Sequence, residues 1–208
     1  MTRNLIMGSL AVLAIAGCLF SLLHKPKEKG EQLATDTSEA LGQRAAEEVA
    51  QLLGNKGQIA VVSLEIAPGQ NPAFAAQMKV FNQTLKNHGV KIAAVKAMPG
   101  GMNMLMLGQR LSPKDYGELL EQAPGADAIV SFVGPPNLSL DDLQKLQGHC
   151  PPLIVVGPFG VMKGAALPAM VEAKAVALAF VPRTSSEIEN EKQQRKLFDR
   201  YYRILRAP

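Results

Sequence analysis

Short apolar runs alternate with amphipathic segments between residues 57 and 182. The runs are rich in Val and Ile and almost unbroken by polar residues, which is typical of strands buried on both faces. Strands that alternate with helices require right-handed crossovers and a parallel sheet covered on both sides. The chain is therefore predicted to be an α/β protein with a five-stranded, doubly wound parallel sheet in three layers (α/β/α). The five strands are expected at residues 59–64, 90–97, 128–133, 153–156 and 176–181.

The segments between the runs carry signals that start and end helices. Asn71 can cap a helix that begins at Pro72, where the missing N–H of proline costs nothing, and Gly89 can close it. The apolar residues of this helix recur at helical spacing: Phe74, Met78, Phe81 and Leu85. Further helices are predicted over residues 39–53 and 165–174, and after the capping boxes that Ser112 forms with Asp115 and Ser139 with Asp142.

The tail, residues 183–208, carries seven Lys and Arg against four Asp and Glu, and it is predicted to form a basic C-terminal helix. Ser186 and Glu189 make a capping box, and opposite charges recur four residues apart. The end of this helix has an apolar and aromatic face made of Phe198, Tyr201, Tyr202 and Leu205. We expect that face to dock on the sheet or on the 39–53 helix; the alternative is that it binds a protein partner or forms a homodimer.

Residues 5–23 form an uncharged apolar stretch of 19 residues. As a helix it reaches about 28 Å, close to the hydrocarbon thickness of a bilayer. Residues 1–23 are therefore predicted to be a membrane anchor or signal segment, followed by a polar linker over residues 24–38 and an α/β domain over residues 39–182. Three interpretations stay open: an uncleaved anchor, a secretory signal cleaved after Ala16, and a lipoprotein signal acylated at Cys18.

The flanks of this stretch bear on its cleavage and orientation. Residues 19–23 remain apolar, which favours an uncleaved, single-pass anchor in the inner membrane. A short basic N-terminus before an apolar run is typical of exported bacterial proteins, so the main domain is expected in the periplasm. Lys25, Lys27 and Lys29 outnumber Arg3, however, and the positive-inside rule would leave the domain in the cytoplasm. Both orientations stay open.

Composition and charge exclude several classes of protein. A hydrophobic content of 47% is enough to build a core, which excludes disorder of the whole chain, and two cysteines are too few for a disulfide scaffold. The net charge is +4, yet residues 57–182 carry nine basic against eight acidic residues. No basic stripe with interleaved aromatics runs through them, so nucleic acid is not expected as a partner.

The motifs of common α/β enzymes are missing from the loops after the strands. The sequence contains no P-loop, no dinucleotide-binding glycine motif after the first strand and no nucleophile elbow. The three histidines, His24, His88 and His149, fall in a linker and at two predicted helix ends. These features favour a non-catalytic function without a cofactor. The alternatives are a hydrolase or transferase that uses Glu65 as general base, and a structural subunit of a membrane complex.

Ligands of open α/β sheets bind outside the carboxyl ends of the strands. The polar residues in those loops that we expect to bind a ligand are Glu65, Asn71, Asn103, Asn137 and Lys163. No metal site is predicted. The spacing of Met102, Met104 and Met106 would nevertheless bring three soft thioethers together, which would suit Cu(I), although Met also fills apolar gaps.

Several segments resemble, in the same order, one lobe of the sugar-type periplasmic binding proteins, type I. They are residues 57–62, residues 71–74 at the start of a helix, residues 125–130 and residues 152–156. The resemblance covers roughly residues 39–182 and implies an extracytoplasmic lobe that binds a small ligand at its strand ends. Such receptors close two lobes on their ligand, and the core predicted here corresponds to one. Phe132 and Phe159 are the aromatics near strand ends that could stack on a sugar ring.

Overall fold

The computed structural model describes residues 29–99, 111–139, 141–142, 150–157, 166–184, 188 and 196–208. Residues 34–208 belong to one compact unit, which contains the sheet. The elements, in chain order, are α1 (Lys29–Leu52), β1 (Gln58–Leu64), α2 (Pro72–Asn87), β2 (Lys91–Met98), α3 (Pro113–Gln122), β3 (Ala128–Ser131), β4 (Leu153–Val156), α4 (Ala166–Glu172), β5 (Leu178–Pro182), α5 (Leu197–Tyr201) and β6 (Tyr202–Arg206).

The sheet has six strands in the order β2-β1-β3-β4-β5-β6. The first five are parallel to their neighbours, and each overlaps the strand that was expected from an apolar run. β1, β3 and β4 are buried along nearly their whole length, as continuous apolar runs predict. The prediction of an α/β fold with a doubly wound parallel sheet is therefore confirmed for five strands. The sixth strand makes the sheet mixed.

The expectation of a single C-terminal helix is wrong for the last residues of the tail. A five-residue helix, α5, is followed at once by β6, which pairs antiparallel with β5 from Pro182–Tyr202 to Leu178–Arg206. β5 would otherwise leave unpaired backbone groups along the side of the sheet, and β6 satisfies them. Tertiary pairing therefore overrides the local helical signals. Of the expected helix, residues 185–187 and 189–195 lie outside the described part of the chain.

The aromatic face of the tail docks on the chain's own sheet. The Phe198 ring meets the Phe180 ring edge-on at 6.2 Å between centroids, and it stacks on Tyr202 at 5.8 Å. Phe198 and Tyr202 are both buried in the core. The intramolecular alternative is thus the one that the structure adopts, and these two rings are not available for a partner.

The first helix is longer than expected. α1 begins at Lys29, so residues 29–38, which were expected to be a linker without periodic structure, are helical. Leu33 is the one large apolar residue of this stretch. A helix without an apolar stripe cannot be predicted from the spacing of apolar residues. Further along, Leu41, Ala45 and Val49 are fully buried, in agreement with the expected helix over residues 39–53.

The helix that follows β1 agrees closely with its prediction. Asn71 Oδ1 accepts a hydrogen bond from the Phe74 N–H at 2.9 Å, and Pro72 opens the helix. Phe81 and Leu85 are buried as expected. The capping boxes are present as well, with the Asp115 N–H donating to Ser112 Oγ at 3.1 Å and the Asp142 N–H donating to Ser139 Oγ at 3.1 Å.

None of the helices within the described ranges has an apolar stretch long enough to cross a membrane. The expected anchor at residues 5–23 and the alternative acylation site, Cys18, both lie outside those ranges.

Candidate functional site: the carboxyl end of the sheet

The strand order identifies where a ligand of this fold would bind. The chain passes from β1 to β2 in one direction along the sheet, and from β2 through β3 and β4 to β5 in the other. The connections that leave β1 and β3 therefore diverge, which opens a crevice outside their carboxyl ends. We call this position the β1/β3 crevice; residues 65–71 follow β1 beside it and residues 132–139 follow β3.

The backbone around the crevice is held by hydrogen bonds between neighbouring strand ends. The Glu65 N–H donates to the Met98 carbonyl at 2.9 Å, and the Phe132 N–H donates to the Val62 carbonyl at 2.8 Å. Ser131 Oγ donates to the Gly134 carbonyl at 2.5 Å, which fixes the turn after β3. These hydrogen bonds fix the backbone from which the side chains of the two loops project.

Two of the five expected ligand-binding residues lie in the open at this end of the sheet. Glu65 follows β1 directly and is exposed, and Asn137 is exposed on the loop after β3, where its N–H donates to the Leu111 carbonyl at 2.8 Å. Asn71 is half-buried and uses its side-chain oxygen as the cap of α2. Asn103 and Lys163 lie outside the described residues. The structure therefore places Glu65 and Asn137 on the two loops of the crevice and gives Asn71 a structural task.

Phe132, one of the two aromatic residues expected near the strand ends, is not exposed to a ligand. Phe132 is buried and meets Phe74 and Phe81 edge-on, at 6.1 Å and 5.0 Å between ring centroids. This trio packs α2 against the sheet. Phe159, the other expected residue, lies outside the described part of the chain. Stacking of a sugar ring on Phe132 is therefore excluded in this conformation.

One buried polar residue at this end of the sheet escaped the sequence analysis. Gln77 of α2 is 3% exposed, and its Nε2 has no hydrogen-bond partner among the described residues. Helical spacing alone predicts that Gln77 is buried, because it shares the buried stripe of α2 with Phe74, Phe81 and Leu85. Met78, which was expected in that stripe, is partly buried beside it. A polar residue at a stripe position is the signal that would have found Gln77.

The two serine hydroxyls at the ends of β1 and β3 are bonded to backbone rather than to a base. Ser63 Oγ donates to the Leu64 carbonyl at 3.3 Å, and Ser131 Oγ is bonded to Gly134. His88 lies at the other end of the sheet, with its Nδ1 3.1 Å from Asn55 Oδ1. Within the described ranges no three His, Cys, Asp or Glu side chains come together as metal ligands. Met102, Met104 and Met106 lie outside them.

The most strongly bonded charged group lies away from the crevice. Glu48 of α1 is buried and accepts two hydrogen bonds from the Arg206 guanidinium, at 2.7 and 2.8 Å, and its Oε1 lies 2.7 Å from Arg44 Nη2. The hydrogen bonds from Arg206 hold the pKa of the Glu48 carboxyl below its usual value, against the opposing effect of burial. This ion pair joins the first helix to the last strand, so we interpret it as structural.

A second opening in the unit lies between α1 and the start of α5. It has a volume of about 460 Å³, and its charged walls carry both signs, with Arg44 and Lys196 against Glu47 and Asp199. Arg44 is already bonded to Glu47 and Glu48. The mixture of charges points to no single ligand chemistry.

Several solved structures match this fold at low sequence identity. The XylFII molecule matches with a TM-score of 0.54 and 14% identity over 82% of this chain and 61% of that one. AraP, an arabinose-binding protein from Geobacillus stearothermophilus, matches with a TM-score of 0.49 and 19% identity over 69% of this chain and 45% of that one. GanP, a glucose-galactose binding protein from the same organism, gives 0.49 and 11% over 69% and 47%.

The chain spans about half the length of these solved proteins. It matches no protein-family model and no curated protein. At such identities the likeness concerns the fold. The chain shares its α/β fold with part of the XylFII molecule, and this fold is consistent with the resemblance noted in the sequence.

Proposed function

We propose that this chain is a non-catalytic binding protein of the bacterial envelope, and that its α/β lobe holds a small polar ligand at the β1/β3 crevice. The observation that supports this most is the divergence of the chain at β1 and β3, with exposed Glu65 and Asn137 on the two loops that flank it. Open α/β sheets bind their ligands at such points. Among the described residues, Gln77 Nε2 is the fully buried side-chain nitrogen or oxygen that has no hydrogen-bond partner.

The chemistry of the two loops favours a monosaccharide over an anion. A carboxylate accepts hydrogen bonds from hydroxyl groups, and an amide both donates and accepts them, so Glu65 and Asn137 can bind opposite sides of a polyol. The solved proteins with this fold include arabinose-binding and glucose-galactose binding proteins. One lobe encloses a ligand from one side, so we expect a dissociation constant of about 1 mM for the lobe alone.

Ligand-observed saturation-transfer NMR tests the proposal on the full 208-residue chain, purified in a non-ionic detergent because of its apolar residues 5–23. Arabinose, glucose and galactose are the probes. At least one should give a saturable signal, and Glu65→Gln should weaken it several-fold. Glu121→Gln, on the exposed surface of α3, is the matched control and should leave the signal unchanged. The absence of a signal from all three sugars would refute binding of a monosaccharide.

We further propose that residues 5–23 anchor the chain in the inner membrane and that the lobe faces the periplasm. The apolar stretch and the basic N-terminus support this, and acylation at Cys18 is the alternative form of attachment. A C-terminal tag should become sensitive to protease once the outer membrane is opened with the inner membrane intact. Protection until the inner membrane is breached would place the lobe in the cytoplasm. Incorporation of labelled fatty acid that is lost in Cys18→Ala would establish the lipoprotein.

A second candidate function is assembly with another copy of the chain, and β2 is the observation that favours it. β2 lies at the side of the sheet, and on one of its faces Ala93, Val95 and Ala97 are exposed, Val95 to 56%. An exposed apolar strand at the side of a sheet presents unpaired backbone groups with which a strand of another chain can pair. Sedimentation velocity should then show a dimer that Val95→Lys dissociates. Leu52→Lys, at a position of similar exposure at the end of α1, should leave it intact. A monomer at all concentrations would remove this candidate.

A further inference from the structure

Gln77 occupies a position that ordinary packing would give to an apolar residue. It lies in the second turn of α2, between the buried Phe74 and Phe81, and it is 3% exposed. A buried side-chain amide without a partner destabilises the folded chain, so such groups are rare and call for an explanation. Within the described residues, Gln77 Nε2 is the buried side-chain atom for which no partner is present.

Glycine backbone lies close to Gln77 on two sides, Gly42 against its main-chain carbonyl and Gly157 beside its side-chain amide. Gly42 of α1 packs directly on α2, where a Cβ would overlap the Gln77 carbonyl oxygen. Gly157, the first residue after β4, has a φ of 108°. A Cβ built at Gly157 would lie 4.0 Å from Gln77 Nε2, within ordinary contact distance. The amide nitrogen is therefore directed at the carboxyl end of the sheet, one strand away from the β1/β3 crevice.

We propose that Gln77 Nε2 is a hydrogen-bond donor that the fold reserves for an uncharged oxygen of the ligand, a hydroxyl or a ring oxygen of a monosaccharide. The inference rests on the proposed function and adds to it a residue that would donate a hydrogen bond to the side of the ligand facing the protein interior. An amide nitrogen can only donate, so it selects an acceptor and disfavours a cation. The glycine at position 157 leaves the approach to this donor free of a side chain.

The sign of a stability change separates this role from a structural one. A donor with a partner inside the chain, or with a permanently bound water, stabilises the free protein, so its removal lowers the melting temperature. A donor that is left unsatisfied until a ligand arrives destabilises the free protein, so its removal leaves the melting temperature unchanged or raises it.

The test is Gln77→Met in the full chain, which keeps the length of the side chain and removes the amide. Gln83→Met is the matched control, because Gln83 lies on the exposed face of the same helix and bonds to Asn87. Without sugar, Gln77→Met should melt at the same temperature as the native chain or higher. Titrated with arabinose or galactose by NMR, it should bind about tenfold more weakly. Gln83→Met should match the native chain in binding.

Three results would overturn the inference. A lower melting temperature of Gln77→Met without sugar, or its failure to fold, would show that the amide has a partner in the free chain or holds a structural water. Unchanged sugar affinity, in a native chain that does bind, would show that the donor does not reach the ligand and would leave the proposed function standing. A native chain that binds no monosaccharide would remove the proposed function and this inference with it.

Discussion

The two ends of the sheet are built differently. At the amino end, polar contacts join segments that are far apart in the chain: the Gln58 N–H donates to Asp127 Oδ2 at 2.8 Å, Gln58 Nε2 donates to the Gly125 carbonyl at 2.7 Å, and Arg206 binds Glu48. On the two loops of the β1/β3 crevice, the side-chain hydrogen bonds of Ser131 and Asn71 are local. The long-range bond from Lys96 Nζ to Glu118, at 2.7 Å, lies on β2, at the side of the sheet. Glu65 and Asn137 are exposed on the two loops of the crevice.

The difference indicates where stability and binding reside. Long-range polar contacts fix loops to one another and stabilise the fold, whereas polar side chains on positioned loops that make few such contacts are free to meet a ligand. The amino end should therefore respond to substitution through the free energy of unfolding, and the carboxyl end through affinity. Substitutions at each end test whether stability and affinity are separated in this way.

The largest loss of stability is expected from Arg206→Leu. It leaves the buried Glu48 carboxylate with Arg44, which is partly exposed, as its remaining partner. Glu48 is buried whereas the Arg206 side chain is half exposed, so the loss should fall below that of a fully buried ion pair, at about 2 to 3 kcal/mol, because the Glu48 charge stays desolvated. Urea denaturation followed by circular dichroism would measure the loss.

Two controls sharpen that result. Arg206→Lys keeps the charge but cannot make both hydrogen bonds, so it should lose less than Arg206→Leu. The double variant Glu48→Leu with Arg206→Leu removes both charges and should recover much of the stability. Equal losses in the single and double variants would mean that the β6 strand, rather than the ion pair, is what the substitution damages.

Gly42→Ala should have the next largest effect. The added Cβ would overlap the backbone carbonyl of Gln77, so α1 and α2 must separate, at about 1 to 3 kcal/mol. Gly117→Ala is the matched control in α3, because a Cβ there meets nothing within 4 Å. It should stabilise the chain by about 0.5 to 1 kcal/mol, since alanine favours a helix over glycine. Thermal denaturation of both variants measures the contrast, and a destabilised Gly117→Ala would contradict the account of α3.

Acid should remove part of the contribution of Glu48. Its pKa in the folded chain lies below the usual value of 4.5, so the stabilisation is present above that pH and is lost as the pH falls through the folded value. The difference in melting temperature between the native chain and Glu48→Gln should be constant from pH 7 to 5 and shrink below pH 4.5. A constant difference down to pH 3 would show that Glu48 is not the group that titrates.

Most of this fold could be predicted because its signals are local. Four of the five parallel strands are nearly continuous apolar runs, whereas β2 contains two lysines and alternates in burial, as an outer strand does. The start of α2 follows from Asn71 as its cap and Pro72 as its first residue. β6 could not be predicted in the same way. Arg203 lies four residues after Asp199, at helical spacing, yet residues 202–206 become a strand because β5 offers a free side of the sheet to pair with. Long-range pairing of this kind leaves little trace in local sequence.

The site could be predicted less completely, for the same reason. Glu65 and Asn137 follow apolar runs, so their place at the strand ends was evident. Whether a polar residue is free or engaged depends on its neighbours in space: Asn71 is engaged as a cap, and Phe132 is buried by α2. Gln77 matters only because Gly42 brings α1 close to it and Gly157 ends β4 beside it, which no local pattern records.

The smallest change in stability, and the sharpest test of the comparison, is expected from a pair of exposed residues at opposite ends of the sheet. Asp127 accepts the Gln58 N–H, so Asp127→Ala should cost about 0.5 to 1.5 kcal/mol and leave sugar affinity unchanged. Asn137→Ala should change stability by less than about 0.5 kcal/mol, because its side chain is exposed, and should weaken sugar binding. Urea denaturation and NMR titration of both variants measure the two quantities side by side. If Asn137→Ala proved the more destabilising, or Asp127→Ala the more damaging to binding, the amino end would not be the main source of stability, nor the carboxyl end the main source of affinity.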